Sequence, residues 1–187
     1  MSRPKPVDKE IKVKPNKFLM SVTDLKGDIL RVNDYFCKIC GYSKEELIGK
    51  PHNIIRHPDM PKAVFYIMWK YIKAGKNITA VVKNLAKDGR YYWVITDFEI
   101  RRDERGNINR YMAFRYVPPR KIIYEIDLLY KKLLEIEKAD GMDVSLEYLE
   151  NTLQSLGAAN YNEYIKKLEN RSVITTFLMG KFKKLFN

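Results

Sequence analysis

Runs of β-branched and aromatic residues, each bounded by turn formers, divide the first part of the chain. Phe18–Thr23 predicts a first strand that ends at Asp24. Leu25-Lys26-Gly27-Asp28 predicts a tight turn, because glycine supplies the positive φ such a turn requires, and Ile29–Val32 pairs back. Thr79–Leu85 and Tyr91–Ile100 predict two further strands around Lys87-Asp88-Gly89-Arg90, where Asp-Gly is a strong hairpin signal. A turn over 103–107 leads to the last strand, Asn109–Val117.

Between the second and third strands the spacing becomes helical. Asn33 and Asp34 can cap a helix over Tyr35–Cys40 that Gly41 stops. Ser43 and Glu46 have the spacing of a capping box. Ala63–Ala74 carries Val64, Ile67, Met68 and Tyr71 on one face and Phe65, Trp69 and Ile72 on an adjoining one. A helix apolar on more than one side must contact more than a sheet. Two strands, short helices and three strands in about 100 residues predict an α+β domain with helices on one face.

Pro118-Pro119 closes that domain, since consecutive prolines cannot continue a central strand. Beyond it Ile122, Ile126, Leu129, Leu133 and Ile136 repeat at heptad-like intervals and predict a helix packed on its own domain or on a neighbouring subunit. Ser145 is expected to cap a second helix that Gly157 ends, and Asn160 with Glu163 a third. That third helix finishes with Ile174, Phe177, Leu178, Phe182, Leu185 and Phe186 on one side, and Lys181, Lys183 and Lys184 elsewhere. It reads as a bundle helix or as a membrane-surface or receptor-docking segment. The chain thus divides into an extended arm (1–16), an α+β domain (17–117) and a helical extension (118–187).

The stretch Pro51–Lys62 stands apart. It holds both histidines, Arg56, Asp59 and three of the eight prolines, with neither helical nor strand periodicity. Prolines fix φ and restrict the residue before them, so this is a stiff loop that aims polar groups. Its residues suit either a binding wall or a salt bridge that ties the loop to the sheet. Asn84, a polar residue between Val82 and Leu85 in a strand, needs a partner if buried, either a ligand or a backbone carbonyl.

Charge adds little to this picture. The formal net charge is +12, with 24 Lys+Arg against 13 Asp+Glu in residues 1–117 and 11 against 10 in the rest. The bases are interspersed with acids over several elements, which predicts a solvated surface with no nucleic-acid partner and at most peripheral membrane contact. No apolar run reaches the ~20 residues that span a bilayer, and the basic, proline-rich N-terminus does not read as a signal peptide. Cys37 and Cys40 lack a second ligand pair and read as free thiols in a reduced, cytoplasmic setting. His57 and Asp59 have no accompanying nucleophile or metal cluster, so an enzyme is not expected.

These segments, taken in order, carry a resemblance. Leu19–Leu25, Val32-Asn33-Asp34-Tyr35-Phe36, Gly41-Tyr42-Ser43, Met68-Trp69, Val82-Lys83-Asn84 and Tyr92-Trp93-Val94 resemble a PAS domain of the aerotaxis-receptor type. Arg56-His57-Pro58-Asp59-Met60-Pro61 is the most specific part, and the match covers roughly 17–117. The resemblance implies a PAS fold, a five-stranded antiparallel sheet with helices on one face, and non-covalent FAD whose redox state feeds energy taxis. It implies Asn33, Arg56, His57, Asp59, Phe65, Trp69 and Asn84 as flavin-pocket residues.

A flavin ring needs a flat apolar slot, which Phe65, Trp69 and Trp93 could line. Its N/O edge needs reversible partners, for which Asn84 and Asn33 are suited, and a pyrophosphate suits Arg56. His57 and Asp59 could hold the ribityl chain or couple to ring protonation. Where the family often has a tryptophan before the strand of Asn84, this chain has Ile78. The chain resembles a stand-alone PAS partner of a bipartite system, whose listener is a separate methyl-accepting chemotaxis-type transducer. A homodimer through the PAS domain or the C-terminal helices is compatible with this. Rival readings are a haem-binding gas sensor using His52 or His57, and a ligand-free interaction module.

Overall fold

A hairpin at each end of the domain and one long return strand set the architecture. The structure is a computed structural model and describes residues 3–170. β1 (Leu19–Thr23) and β2 (Ile29–Val32) form the first hairpin, with Gly27 at φ +92° in its turn. β3 (Ile78–Leu85) and β4 (Tyr91–Arg102) form the second, and β5 (Ile108–Tyr116) inserts between the hairpins. The strand order is β2-β1-β5-β4-β3 and every pairing is antiparallel.

Because β2 and β3 lie on opposite edges, the chain between them must cross a face of the sheet. It does so as α1 (Asp34–Cys40), α2 (Lys44–Leu47), a 3₁₀ turn (His52–Ile55) and α3 (Lys62–Lys73). The caps act as expected. Asn33 accepts from Phe36 N at 3.0 Å, and Ser43 and Glu46 exchange both bonds of a capping box. Cys37 and Cys40 are free, and burial pushes the Cys40 thiol up to about 12.

Side chains alternate between the two faces of the sheet. On β4, Tyr92, Val94, Thr96 and Phe98 face the crossing helices, and Trp93 and Ile95 face the other way. α4 (Arg120–Ala139) covers that other face, where Tyr130 packs on Trp93 with ring centroids 6.3 Å apart. Its buried residues are Ile122, Ile126, Tyr130 and Leu133, so the heptad-like stripe is corrected at Leu129 and Ile136, which are only partly buried. α5 (Met142–Ser155) follows, then a helical stretch over 161–170. Ser145 does not cap α5. Gly141 holds that position, and Ser145 is buried inside the helix, where its hydroxyl donates to Leu133 O at 3.2 Å. Asn160 does cap the last stretch, accepting from Glu163 N at 3.0 Å. The expected amphipathic finish from Ile174 to Phe186 lies outside the described residues.

These helices also close the free edge of β3. Thr79 N donates to Asn162, Val81 N to Tyr161 OH, and Tyr130 OH donates to Val81 O at 2.7 Å. Lys83 N meets Met60 Sδ at 3.2 Å, from the loop before α3. An edge strand left bare would template pairing with another chain. The N-terminal arm joins the same hairpin, with Ile11 N donating to Tyr91 O at 2.7 Å and Val7 N to Gly89 O at 2.8 Å. Among the described residues no helix is long and apolar enough to cross a membrane.

Candidate functional site

Where α3 and the 3₁₀ turn stand off from the sheet they leave a cavity of about 400 Å³, within the size range of small-molecule sites. The helix contributes an apolar wall, chiefly Phe65, Met68, Trp69 and Ile72. The facing wall is the inner side of the sheet, with Val82, Asn84, Thr96, Phe98 and Arg115. Lys26, Arg56, Lys62 and Arg115 all line the cavity, and among the described residues no aspartate or glutamate does. A concave site lined by one sign of charge concentrates the opposite sign.

The sheet wall carries the polar chemistry. In register, Asn84 lies opposite Tyr92 and Ala80 opposite Thr96, and Thr96 is in turn opposite Arg115. One face therefore presents Asn84, Thr96 and Arg115 together. Asn84 Nδ2 and Thr96 Oγ1 are buried and have no hydrogen-bond partner among the described residues. Native proteins rarely leave such groups unpaired, because each forfeits its hydration without replacement. Two on one cavity wall leave a donor and a hydroxyl free to meet a ligand's polar atoms.

Arg115 is 2% exposed. One guanidinium nitrogen donates to Ser21 Oγ at 2.9 Å and Ala113 O at 3.3 Å, and another donates to His52 Nε2 at 2.9 Å. Ser21 Oγ lies 3.1 Å from the same Nε2. His52 Nε2 is thus an acceptor, and burial together with the Arg115 charge lowers its pKa to about 3. Burial also draws Arg115 down, to about 10, which leaves it charged at neutral pH.

At the rim, Arg56 lies over the Phe65 ring at 3.9 Å and donates to Met60 O at 3.1 Å. A backbone bridge between Arg56 and Asn84 fixes this loop to β3. Trp69 meets Tyr111 edge-on at 6.1 Å. Its ring lies against Gly27, where an added Cβ would come within 3.1 Å of it.

Of the residues singled out from the sequence, Arg56, Phe65, Trp69 and Asn84 line the cavity. Asn33, His57, Asp59 and Trp93 do not. Asn33 is engaged by the backbone, accepting from Met20 N and Phe36 N and donating to Phe18 O at 2.9 Å. Trp93 is one residue out of step with Tyr92, so it points through the sheet to α4, and the apolar slot keeps only Phe65 and Trp69. Lys83, out of step with Asn84, likewise points away and pairs with Asp59 at 2.7 Å. His57 is buried beside them, its Nδ1 accepting from Asp59 N at 3.1 Å and its ring edge-on to Tyr91. Burial and the Lys83 charge lower the His57 pKa to about 4. Burial would raise Asp59, but the bond to Lys83 and its charge, with those of His57 and Lys138, together outweigh it and hold the carboxyl low. Ile78 is buried opposite Phe98.

The sequence reading missed Thr96 and Arg115, and it weighed His52 only as a haem ligand. Counting outward in twos from the Asp88-Gly89 turn would have found Thr96, since Tyr92, Thr96 and Asn84 share a face, but it does not reach Arg115 on β5. Among the described residues no cluster of histidine, cysteine or carboxylates has a metal-binding arrangement.

Residues 29–115 match the family model described as PAS fold. Over 115 residues the chain is 43% identical to the aerotaxis receptor of Escherichia coli, which is 62% of this chain and 22% of that protein. It is 25% identical over 142 residues to the biofilm dispersion protein BdlA of Pseudomonas aeruginosa, 74% of this chain and 32% of the relative. The chain therefore spans about a third or less of these curated relatives. Among solved structures, the light state of the blue-light photoreceptor Aureochrome1 LOV superposes with a TM-score of 0.51 at 22% identity, covering 64% of this chain and 91% of that one. That likeness concerns the fold alone.

Proposed function

Since this chain carries a PAS domain of the aerotaxis-receptor family, we propose that it is a redox sensor that binds FAD non-covalently and signals to a separate methyl-accepting transducer. The observation that carries the reading is the cavity wall. It sets two buried, unpartnered polar groups, Asn84 Nδ2 and Thr96 Oγ1, across from the apolar face of α3 in a site with four cations and no acid.

These residues fit a flavin. Phe65 and Trp69 offer flat apolar contact to a ring. The Asn84 amide both donates and accepts, so it can serve a ring edge whose hydrogen-bonding character changes. Arg56 and Lys62 at the rim suit the pyrophosphate, Arg56 with directional donors and Lys62 as a point charge. Bound flavin would supply reversible electron uptake. The protein orients it, keeps water from it and responds to its charge. Asn84 shares β3 with Val81, which Tyr130 and Tyr161 hold, so a shift of this strand reaches the C-terminal helices. A coupling of about 1–3 kcal/mol between ring state and helix packing would suffice for a signal.

Haem is the weaker fit. His52 Nε2 is engaged by Arg115 and Ser21, and His57 lies outside the cavity. The Ser21 hydroxyl in the cavity wall is held by Arg115 and His52, and we read the domain as a binding module rather than an enzyme. The family resemblance supports a cytoplasmic place, with the membrane reached only through the transducer.

Absorption spectroscopy of the full chain, as purified and after incubation with FAD, tests this. Paired flavin bands that survive gel filtration are expected, with at least tenfold weaker retention in Asn84→Ala. A Soret band, or no retained flavin after reconstitution of the folded protein, would sink the reading.

A further inference from the structure

The Arg115 cluster has no role in the fold that accounts for its charge. The guanidinium is buried, and its partners are a hydroxyl, a backbone carbonyl and an imidazole nitrogen that can only accept. Among the described residues no carboxylate lines the cavity it borders, and the Phe36 ring centre lies 5.4 Å from its Cζ. A buried cation held by neutral dipoles is costly in a protein interior unless an opposite charge joins it. Thr96, the cross-strand neighbour of Arg115, adds an independent sign of a missing partner: its buried Oγ1 has none.

We propose that Arg115, positioned by His52 and Ser21, is the cavity's anion-stabilising pole: it takes the electron-rich edge of bound flavin and favours the reduced over the oxidised cofactor. The inference rests on the flavin reading above. When a low-potential electron donor gives the ring two electrons and solvent gives it one proton, the ring gains one net negative charge. A guanidinium at that edge in a dry, apolar site then interacts more strongly with the reduced ring than with the neutral one. His52 is suited to hold Arg115 because it stays neutral and offers Nε2 only as an acceptor. A protonated histidine there would repel it.

The test is spectroelectrochemical titration of the full chain loaded with FAD, for the wild type and for Arg115→Lys, Arg115→Gln and His52→Gln. Arg115→Gln is expected to weaken binding of both forms, the reduced form at least tenfold more than the oxidised. For a two-electron couple that is a fall of about 30 mV in midpoint potential. Arg115→Lys should recover most of the difference, a rescue that a purely packing role would not give. If Arg115→Gln fails to fold by circular dichroism, His52→Gln decides, with a smaller fall of the same sign expected. An unchanged potential in the folded variant overturns the proposal while the flavin reading stands. Failure of the wild type to take up FAD fells the flavin reading first and this proposal with it, and the absorption spectrum reports that before any variant is made.

Discussion

Thr96 is fully buried in β4, its Oγ1 unpartnered, one cross-strand step from Arg115. Replacing it by the isosteric valine removes a desolvated hydroxyl that none of the described residues satisfies. Thr96→Val should therefore leave the ligand-free protein equally stable or more stable by up to about 1 kcal/mol. FAD affinity should fall about tenfold, the worth of one hydrogen bond. Urea melts with and without FAD read both effects. A large loss of stability without ligand would mean that the hydroxyl has a partner inside the fold. The two histidines make a prediction of a different kind. Their folded pKa values, about 3 for His52 and about 4 for His57, lie below the ordinary 6.5. Between those values and 6.5 the unfolded chain binds more protons than the folded one, so stability is lost as pH falls through that window and is flat above it. His57 can account for up to about 3 kcal/mol of the loss, at 1.36 kcal/mol per pH unit. His57→Gln should flatten the slope of urea-melt stability between pH 6.5 and 4. An unaltered slope would mean that His57 ionises as freely in the fold as in the unfolded chain.

At the scale of the element, β3 is the member that both the cavity and the C-terminal helices hold. Tyr130 and Tyr161 bond to the same residue, Val81, and to each other at 2.5 Å. Tyr130→Phe leaves the Val81 carbonyl buried without its donor and should cost about 1–3 kcal/mol. Tyr161→Phe should cost less, since its bond to Val81 N is long at 3.4 Å. The double variant should cost less than the sum, because the two hydroxyls act as one network. A double-mutant cycle with strict additivity would break that network apart. Much of this architecture is legible in the sequence where local chemistry decides it. Asn33, Gly41 and the Ser43–Glu46 pair mark helix ends because capping is a local interaction. The Asp88-Gly89 turn likewise marks a hairpin. What escapes is the relation between elements. Trp93 looks like a ring contact by residue type, yet the register that pairs Asn84 with Tyr92 turns it to the opposite face. Ser145 looks like a cap, yet the carbonyl of Leu133 on a neighbouring helix claims it. Arg115 carries no local signal, because its meaning depends on His52 and Ser21, far away in the chain.

For the molecule as a whole, the question is whether the C-terminal helices are an appendage or part of the sensor. Val81, Trp93 and Ile95 are almost fully buried although they lie on the face turned away from the cavity, and α4 is what covers them. Glu137 of α4 also accepts from Ala63 N at 2.9 Å, satisfying one of the free donors at the start of α3. The helices thus touch the sheet's outer face, its β3 edge and the helix that walls the cavity. A chain cut after Pro119 would bare three apolar side chains and an unpaired strand edge at once, the combination that templates self-association. Such a fragment should unfold at markedly lower urea concentration than the full chain, show a red-shifted Trp93 fluorescence as its indole meets water, and sediment as concentration-dependent oligomers. Of the described cavity lining, the cut removes only Met142, so FAD should restore part of the lost stability by binding the folded form. A fragment that remained monomeric with unchanged stability and fluorescence would show the helices to be separable. In that case the route from Asn84 through Val81 to Tyr130 could not carry a signal, because an element that contributes no stabilising contact cannot bias the state of another.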